Sequence, residues 1–336
     1  MTASSVPLLK FPSVIFTEII HSTDPDALVC LALSSQRMHS VVKREIRRIS
    51  KSLELDVIAD VEQLAMIRFL NGVTEYNALS AKSITFSSEE SNLISIRLGD
   101  QLVLASMGCT YLTTYWEDPV FGCRQVREFL SDLFNLDIAA IIFKRSSIWL
   151  LEWMRSLQKP VPLAVTFKDR MSEEDYQFLM STCNADELVH GAIAPADFYP
   201  LEGFLPRTRL RIEHGSWLRI EHILRMDSVE IYVIESNLNS SHLNVLLKHW
   251  VSGGFGRLRV LMIRTEFTLV HDTILHQLDS KITRVHHERE YEMKNKWMIP
   301  LPVNTRDITR SDGKVVSVRI YEKHMTLFVW PDFSSA

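Results

Sequence analysis

The chain has 336 residues, 46% hydrophobic and 23% charged, a balance that supports a sizeable core and excludes a disordered or fibrous sequence. Its 37 basic and 41 acidic residues leave a net charge of −4, which excludes a global pull toward nucleic acid or anionic lipid. Length alone points to about two domains. Cys30, Cys109, Cys123 and Cys183 lack the two-residue spacing of a zinc half-site and are too few for a disulfide scaffold. No apolar run approaches the ~18 residues of a membrane span, and Pro7, Lys10 and Pro12 interrupt the apolar run that a signal peptide needs. The expectation is a cytoplasmic or nuclear protein with reduced thiols.

From residue 7 to 49, apolar residues recur at helical spacing in short bursts. Pro12 suits a first helical turn, and Val14, Ile15, Ile19 and Ile20 follow on a broad apolar face. Asp24-Pro25 reads as N-cap and first helical position of a second helix through Leu28, Val29, Leu31, Ala32 and Leu33. A third starts near Ser34 or Ser35 and carries Met38, Val41, Val42 and Ile46. Three short helices can hide only part of these side chains, so a partner should cover the excess, the plain alternative being that they pack on the rest of the chain. The basic run 43–48 reads as a solvated last turn that complements the helix dipole, with a nucleic-acid contact as the weaker alternative.

Phe11-Pro12-Ser13-Val14-Ile15, then Ile19, Asp24-Pro25, Leu28 and the stretch from Leu31 to Val42 resemble an F-box. Phe11 replaces the usual first Leu and Met38 the usual aromatic. The resemblance implies a three-helix F-box at 7–50 that binds the Skp adaptor, and through it cullin. Phe11, Pro12, Val14, Ile15, Ile19, Leu28, Leu31 and Met38 would supply the apolar contacts.

The remainder, 51–136 included, reads as one strand–helix repeat domain, 51–336. Helices are expected over 57–70 and 123–134, with strands at 83–86 and 92–98 pairing. Strand-like runs then recur at 138–144, 162–169, 187–194, 208–214, 228–236 and 257–264, at intervals of about 20 to 29 residues. Between them lie helical patterns at Leu150, Trp153, Met154, Leu157; Tyr176, Leu179, Met180, Cys183; and Leu243, Leu246, Leu247, Trp250. Ser172 with Asp175, and Ser240 or Ser241, mark helix starts. This alternation implies a parallel sheet, either a one-sided, irregular leucine-rich-repeat-like solenoid, which is preferred, or a doubly wound sheet. The stretch 281–296 reads as an exposed helix or loop.

Residues 239–254, the run 257–263, the segment 307–314 and the terminal Phe328-Val329-Trp330 resemble the F-box-associated domain, type 2, of nematode F-box proteins, placing such a region at about 205–336. Asp312-Gly313 is a turn signal between Val315 to Tyr321 and Met325 to Trp330, which would close the sheet as an antiparallel hairpin. The expected fold class is α/β: a small three-helix F-box followed by the strand–helix solenoid and its closing hairpin.

No catalytic constellation stands out. His287-Glu288 lacks the second His of a metalloprotease helix, His271-Asp272 and His276 have the wrong spacing for a ligand pair, and Gly253-Gly254-Phe255-Gly256 leads into a strand rather than a helix. No metal or other cofactor is expected. Trp153 and Trp250 fall on apolar stripes and read as core. On the strands at 208–214 and 228–236, Arg211, Glu230 and Tyr232 are the candidate partner contacts. The expectation is a non-enzymatic substrate receptor of an SCF-type ubiquitin ligase, binding a target protein but neither nucleic acid nor membrane. A scaffold independent of the ligase is the alternative, and an enzyme with an unrecognised site the less favoured one.

Overall fold

The computed structural model describes residues 12–46, 52–59, 65–72, 74–89, 92–108, 111–143, 149–156, 159–195, 198, 204–294 and 296–331. It divides into two units, Met1–Glu152 and Trp153–Ala336. The first opens with helices α1 (Ser13–His21), α2 (Pro25–Leu33) and α3 (Gln36–Ile46). Asp24 sits extended before Pro25, whose fixed φ starts α2. Strands β1 (Glu54–Ala59), β2 (Ala65–Asn71), β3 (Thr74–Ser83), β4 (Leu93–Leu98), β5 (Gln101–Met107), β6 (Leu112–Trp116) and β7 (Ile138–Phe143) form the sheet, in the order β7-β1-β2-β3-β6-β5-β4. Pairings β1/β7 and β3/β6 are parallel and the others antiparallel.

One long helix, α4 (Pro119–Phe134), lies on this sheet. The Asp118 carboxylate accepts the amide N–H groups of Val120 and Phe121 at its start, and Asn135 ends it in the left-handed conformation at φ 55. It packs on β2, β3, β6 and α3, while α2 packs on β3 and β4. Phe69 and Phe134 meet at 4.3 Å between ring centroids, and Lys43 Nζ bonds Asp132 at 2.5 Å from α3 to α4.

This layer overturns the expected separate three-helix F-box. Phe16, Ile20, Leu28, Val29, Met38, Val42 and Ile46 are buried in the unit that also holds β1 to β7. Each such side chain contributes about 1.5 to 3 kcal/mol over leaving it exposed, so most of the surplus grease is satisfied within the chain itself.

In the second unit, α5 (Trp149–Ser156), which begins in the first, leads to β8 (Val161–Thr166), α6 (Glu173–Thr182), β9 (Ala185–His190), β10 (Arg207–Ile212), α7 (Ile220–Leu224), β11 (Ser228–Ser236), α8 (Ser240–Val251) and β12 (Val260–Thr265). Then come α9 (His271–Leu275), β13 (Ile282–Arg284), β14 (Arg289–Glu292), β15 (Met298–Leu301), β16 (Arg306–Thr309), β17 (Val315–Ile320) and β18 (His324–Val329). The sheet order is β13-β16-β17-β18-β12-β11-β10-β9-β8, with β14-β15 as a separate hairpin. Strands β8 to β12 are parallel; β13, β16, β17 and β18 are antiparallel. Ser172 caps α6, and an Asn239/His242 capping box starts α8.

The α/β solenoid is likewise corrected. Strands outnumber α-helices eighteen to nine among the described residues. The coil of strand–helix turns stops at β12, which pairs with antiparallel β18, and the β17/β18 hairpin extends that sheet toward β16 and β13 instead of capping a solenoid. Locally, the described residues of 57–70 are strand rather than helix: Glu54↔Leu70 through Ala59↔Ala65 pair as β1 and β2. Ser83 ends β3, Ile84–Glu89 forms 3-10 turns, and β4 pairs with β5 rather than with 83–86. The stretch 281–296 contains β13 and β14, with Tyr291 buried.

A buried polar knot joins β8 to β9. Thr166 Oγ1 accepts the amides of Gly191 (2.9 Å) and Ala192 (3.1 Å), which leaves its hydroxyl proton for His190 Nδ1 at 2.9 Å. His190 is thereby the neutral tautomer with its proton on Nε2, an atom without a hydrogen-bond partner among the described residues, and the ring lies 4.6 Å from that of Tyr176. A Cβ on Gly191 would stand 2.5 Å from the Thr166 carbonyl oxygen, so only glycine permits the approach.

Candidate functional site

Alternation along a strand decides which side chains share a face. On β10, Leu210 and Ile212 are fully buried and register with Leu188, His190, Ile231 and Val233. The aromatic contact of His190 with Tyr176 of α6 puts this set on the helix side. Arg209 and Arg211 point the other way, together with Glu187 of β9, Glu230 and Tyr232 of β11, and Val260 and Met262 of β12.

A charged row crosses three strands on this second face. Arg209 Nη1 bonds Glu187 Oε2 at 2.9 Å, and its Nε bonds Glu230 Oε2 at 2.8 Å. Burial opposes the Arg209 charge, but the bond to Glu230 and the charges of Glu230 and Glu187 outweigh it and raise its pKa. Tyr232 donates its hydroxyl to Glu230 Oε2 at 3.3 Å; burial first, and then the Glu230 charge, push that phenol upward. Arg207, deeper, donates Nη1 to the Ala185 carbonyl at 2.8 Å.

The β14/β15 hairpin covers part of this face. Tyr291, Leu301, Val260 and Phe328 form a buried cluster against which Tyr232, Met293, Ile299 and Trp330 pack. The Tyr291 hydroxyl reaches the carbonyls of Val329 (2.9 Å) and Arg259 (3.1 Å). Arg289 grips Asp307 with two bonds of 2.9 and 2.7 Å, and Ser317 donates to the same carboxylate at 2.7 Å while accepting from Trp330 Nε1 at 2.8 Å. Between hairpin and strands lies a cavity of 560 Å³, lined by Glu230, Tyr291, Met293, Met298 and Trp330 among others.

The three partner residues expected from sequence thus lie on one face, in different environments. Glu230 is 1% exposed and held by Arg209, Tyr232 is half-buried, and Arg211 pairs with Glu213 at 2.5 Å. Glu187 and Arg209 organise the row; the alternation of Arg207, Arg209 and Arg211 in the sequence is the signal that finds Arg209, while register between β9 and β10 brings Glu187 to it. Trp153 and Trp250 are core residues, as expected.

Of the adaptor residues expected in the first unit, Pro12 just before α1 and Val14 and Ile15 on it are exposed, the latter two by 72% and 47%. Ile19 and Leu31 are half-buried, Leu28 and Met38 are core, and Phe11 lies outside the described residues. Among the described residues, no three His, Cys, Asp or Glu side chains are grouped to hold a metal, and no helix is long and apolar enough to cross a membrane.

The strands that carry this face decide the comparison with known families. Residues 202–263 match the F-box associated family. No curated protein and no solved structure matches the chain. The matched segment takes in β10, α7, β11, α8 and most of β12, and with them Arg209, Arg211, Glu230 and Tyr232. It is narrower than the expected 205–336, and the β14/β15 hairpin lies beyond it.

Proposed function

We propose that this chain is the target-binding subunit of an SCF-type ubiquitin ligase of the nematode kind. The open face of its F-box-associated region would hold a protein, and the exposed side of α1 would reach a Skp adaptor and through it cullin. The match over residues 202–263 carries this reading. On it the protein is non-catalytic and works in the cytoplasm or nucleus. Its contribution is proximity, raising the effective concentration of target lysines near a conjugating enzyme held by other subunits.

Val14 and Ile15 are the apolar residues that α1 leaves open, so they are the contacts to test. Co-purification of the full chain with recombinant Skp adaptor should succeed for the wild type and fall at least tenfold for Val14→Asp/Ile15→Asp, with thermal stability unchanged because both sites face solvent. Leu28→Ala should instead cost about 2 to 5 kcal/mol of stability, whatever it does to the adaptor. Undiminished capture by the double variant would refute the α1 contact. A scaffold without ligase function is the second reading, favoured by the burial of Leu28 and Met38 in the chain's own core. Wild-type protein that holds a target yet never recovers the adaptor decides for it.

A further inference from the structure

Above the Glu187–Arg209–Glu230 row, the same face changes sign. Arg264 of β12 stands directly opposite His324 of β18, and Arg319 of β17 pairs with Thr326, two residues from His324 on the same side. Tyr321 completes the group: its ring stacks on His324 at 4.4 Å, and the Arg319 guanidinium lies 5.0 Å from its centroid. Arg211 and Tyr232 continue the line on β10 and β11, since Arg211 registers with Tyr232, and Tyr232 with Met262, two residues before Arg264. Among the described residues, the one carboxylate paired with any of these cations is Glu213, on Arg211. Glu266 and Glu322, close in sequence, enter no ion pair there.

Arg264 and Arg319 put like charge on the two strands that flank β18, an arrangement that an anion on this face would relieve. Burial first, then the charges of Arg319 and Arg264, hold the His324 imidazole below its ordinary range. The hairpin leaves Arg264 and Tyr321 open: it sits on Val260 and Phe328, one row below, touches Tyr232, and ends at Arg319, whose Nη1 donates to the Pro300 carbonyl at 3.3 Å. Tyr321 is 42% exposed, and Arg264 is open to solvent.

We infer that the target segment held by this face is acidic: an extended peptide whose Asp and Glu carboxylates lie along Arg211, Arg264 and Arg319, with Tyr232 and Tyr321 beneath it. The inference rests on the target-binding reading and names its partner. Five neighbouring strands at ~4.8 Å span about 19 Å, which an extended chain at ~3.3 Å per residue crosses in about six residues. Charge pairs at such an open edge steer encounter and select the partner.

Fluorescence anisotropy of the full chain tests this with labelled octapeptides of alternating Asp and Ser, Lys and Ser, and Gln and Ser, and a labelled single-stranded oligonucleotide of eight bases. The Asp peptide should bind at least tenfold more tightly than the Lys and Gln peptides, weaken as salt rises from 50 to 300 mM, and lose at least tenfold with Arg264→Glu/Arg319→Glu. Arg264→Gln alone, at an exposed site, should lose about threefold with an unchanged melting temperature, which separates lost contact from unfolding. Equal binding of the three peptides, preference for the oligonucleotide, or full Asp-peptide binding by a folded double reversal would overturn the inference. Because no adaptor is present in this assay, failure here leaves adaptor capture to stand or fall separately.

Discussion

Acidification from pH 7.5 to 5.0 should destabilise the second unit through a single imidazole. His190 is fully buried, its Nδ1 accepts the Thr166 hydroxyl, and burial, with the charges of Arg207 and His214, depresses its pKa from 6.5 to about 3. Protonation would turn Nδ1 into a donor facing a hydroxyl whose own acceptor sites are already taken by Gly191 and Ala192. Below pH 6.5 the unfolded chain therefore binds a proton that the folded one refuses. Stability is fully present above that value and falls by roughly 1.4 kcal/mol per pH unit until about pH 3, where the folded imidazole also titrates. By pH 5.0 the loss from this group is about 2 kcal/mol. Urea unfolding at both pH values, on wild type and His190→Gln, isolates it from the other histidines, because glutamine can accept the same hydroxyl and does not titrate. The variant should be less stable at pH 7.5 yet lose about 2 kcal/mol less on acidification. Identical losses in the two proteins would refute the tautomer and the burial argument together.

Two packing predictions follow from single contacts. Gly122→Ala places a Cβ inside the Trp116 indole, so it should destabilise the first unit by about 1 to 3 kcal/mol in thermal melts, against the ~1 kcal/mol gain that alanine brings to an open helix position. A neutral or stabilising result would show that the indole can move away. Arg289→Ala leaves the Asp307 carboxylate buried with Ser317 as its remaining side-chain hydrogen-bond partner among the described residues, and should cost about 3 to 5 kcal/mol and expose the β14/β15 segment to limited proteolysis. Unchanged protease resistance would mean that the Tyr291 cluster alone holds the hairpin.

What the sequence disclosed follows the range of the interactions. Ser228–Ser236 appears with its bounds intact, and α8 and α6 begin within a residue or so of their expected caps, because local periodicity and capping chemistry are written in adjacent residues. Val57 to Leu70 misled because apolar residues there also fit a helical spacing, while the strand state is enforced by partners elsewhere: β1 takes β7, eighty residues on, as its other neighbour. The Gly99-Asp100 turn that folds β4 onto β5, with Gly99 at φ 61, carried a hairpin signal that the stronger runs overshadowed. At the candidate site, Arg211, Glu230 and Tyr232 could be named from their strands. Their neighbours Glu187, Arg264, His324 and Arg319 could not, since register between distant strands, rather than spacing along one, brings those charges together. The surplus grease of α1 to α3 was counted rightly and assigned too generously, because a count of apolar residues does not say that α4 and β3 lie close enough to take most of it.

The placement of β18 against β12 has a consequence for biosynthesis. Strand β12 leaves the ribosome with one flank already able to zip onto β11, while the strand that seals its other flank is some sixty residues further along the message. At elongation rates of about 5 to 20 residues per second, that flank waits about 3 to 12 seconds with Leu261 and Ile263 uncapped. The nascent molecule is then most vulnerable to pairing with a stranger, and a chaperone would have most to offer it.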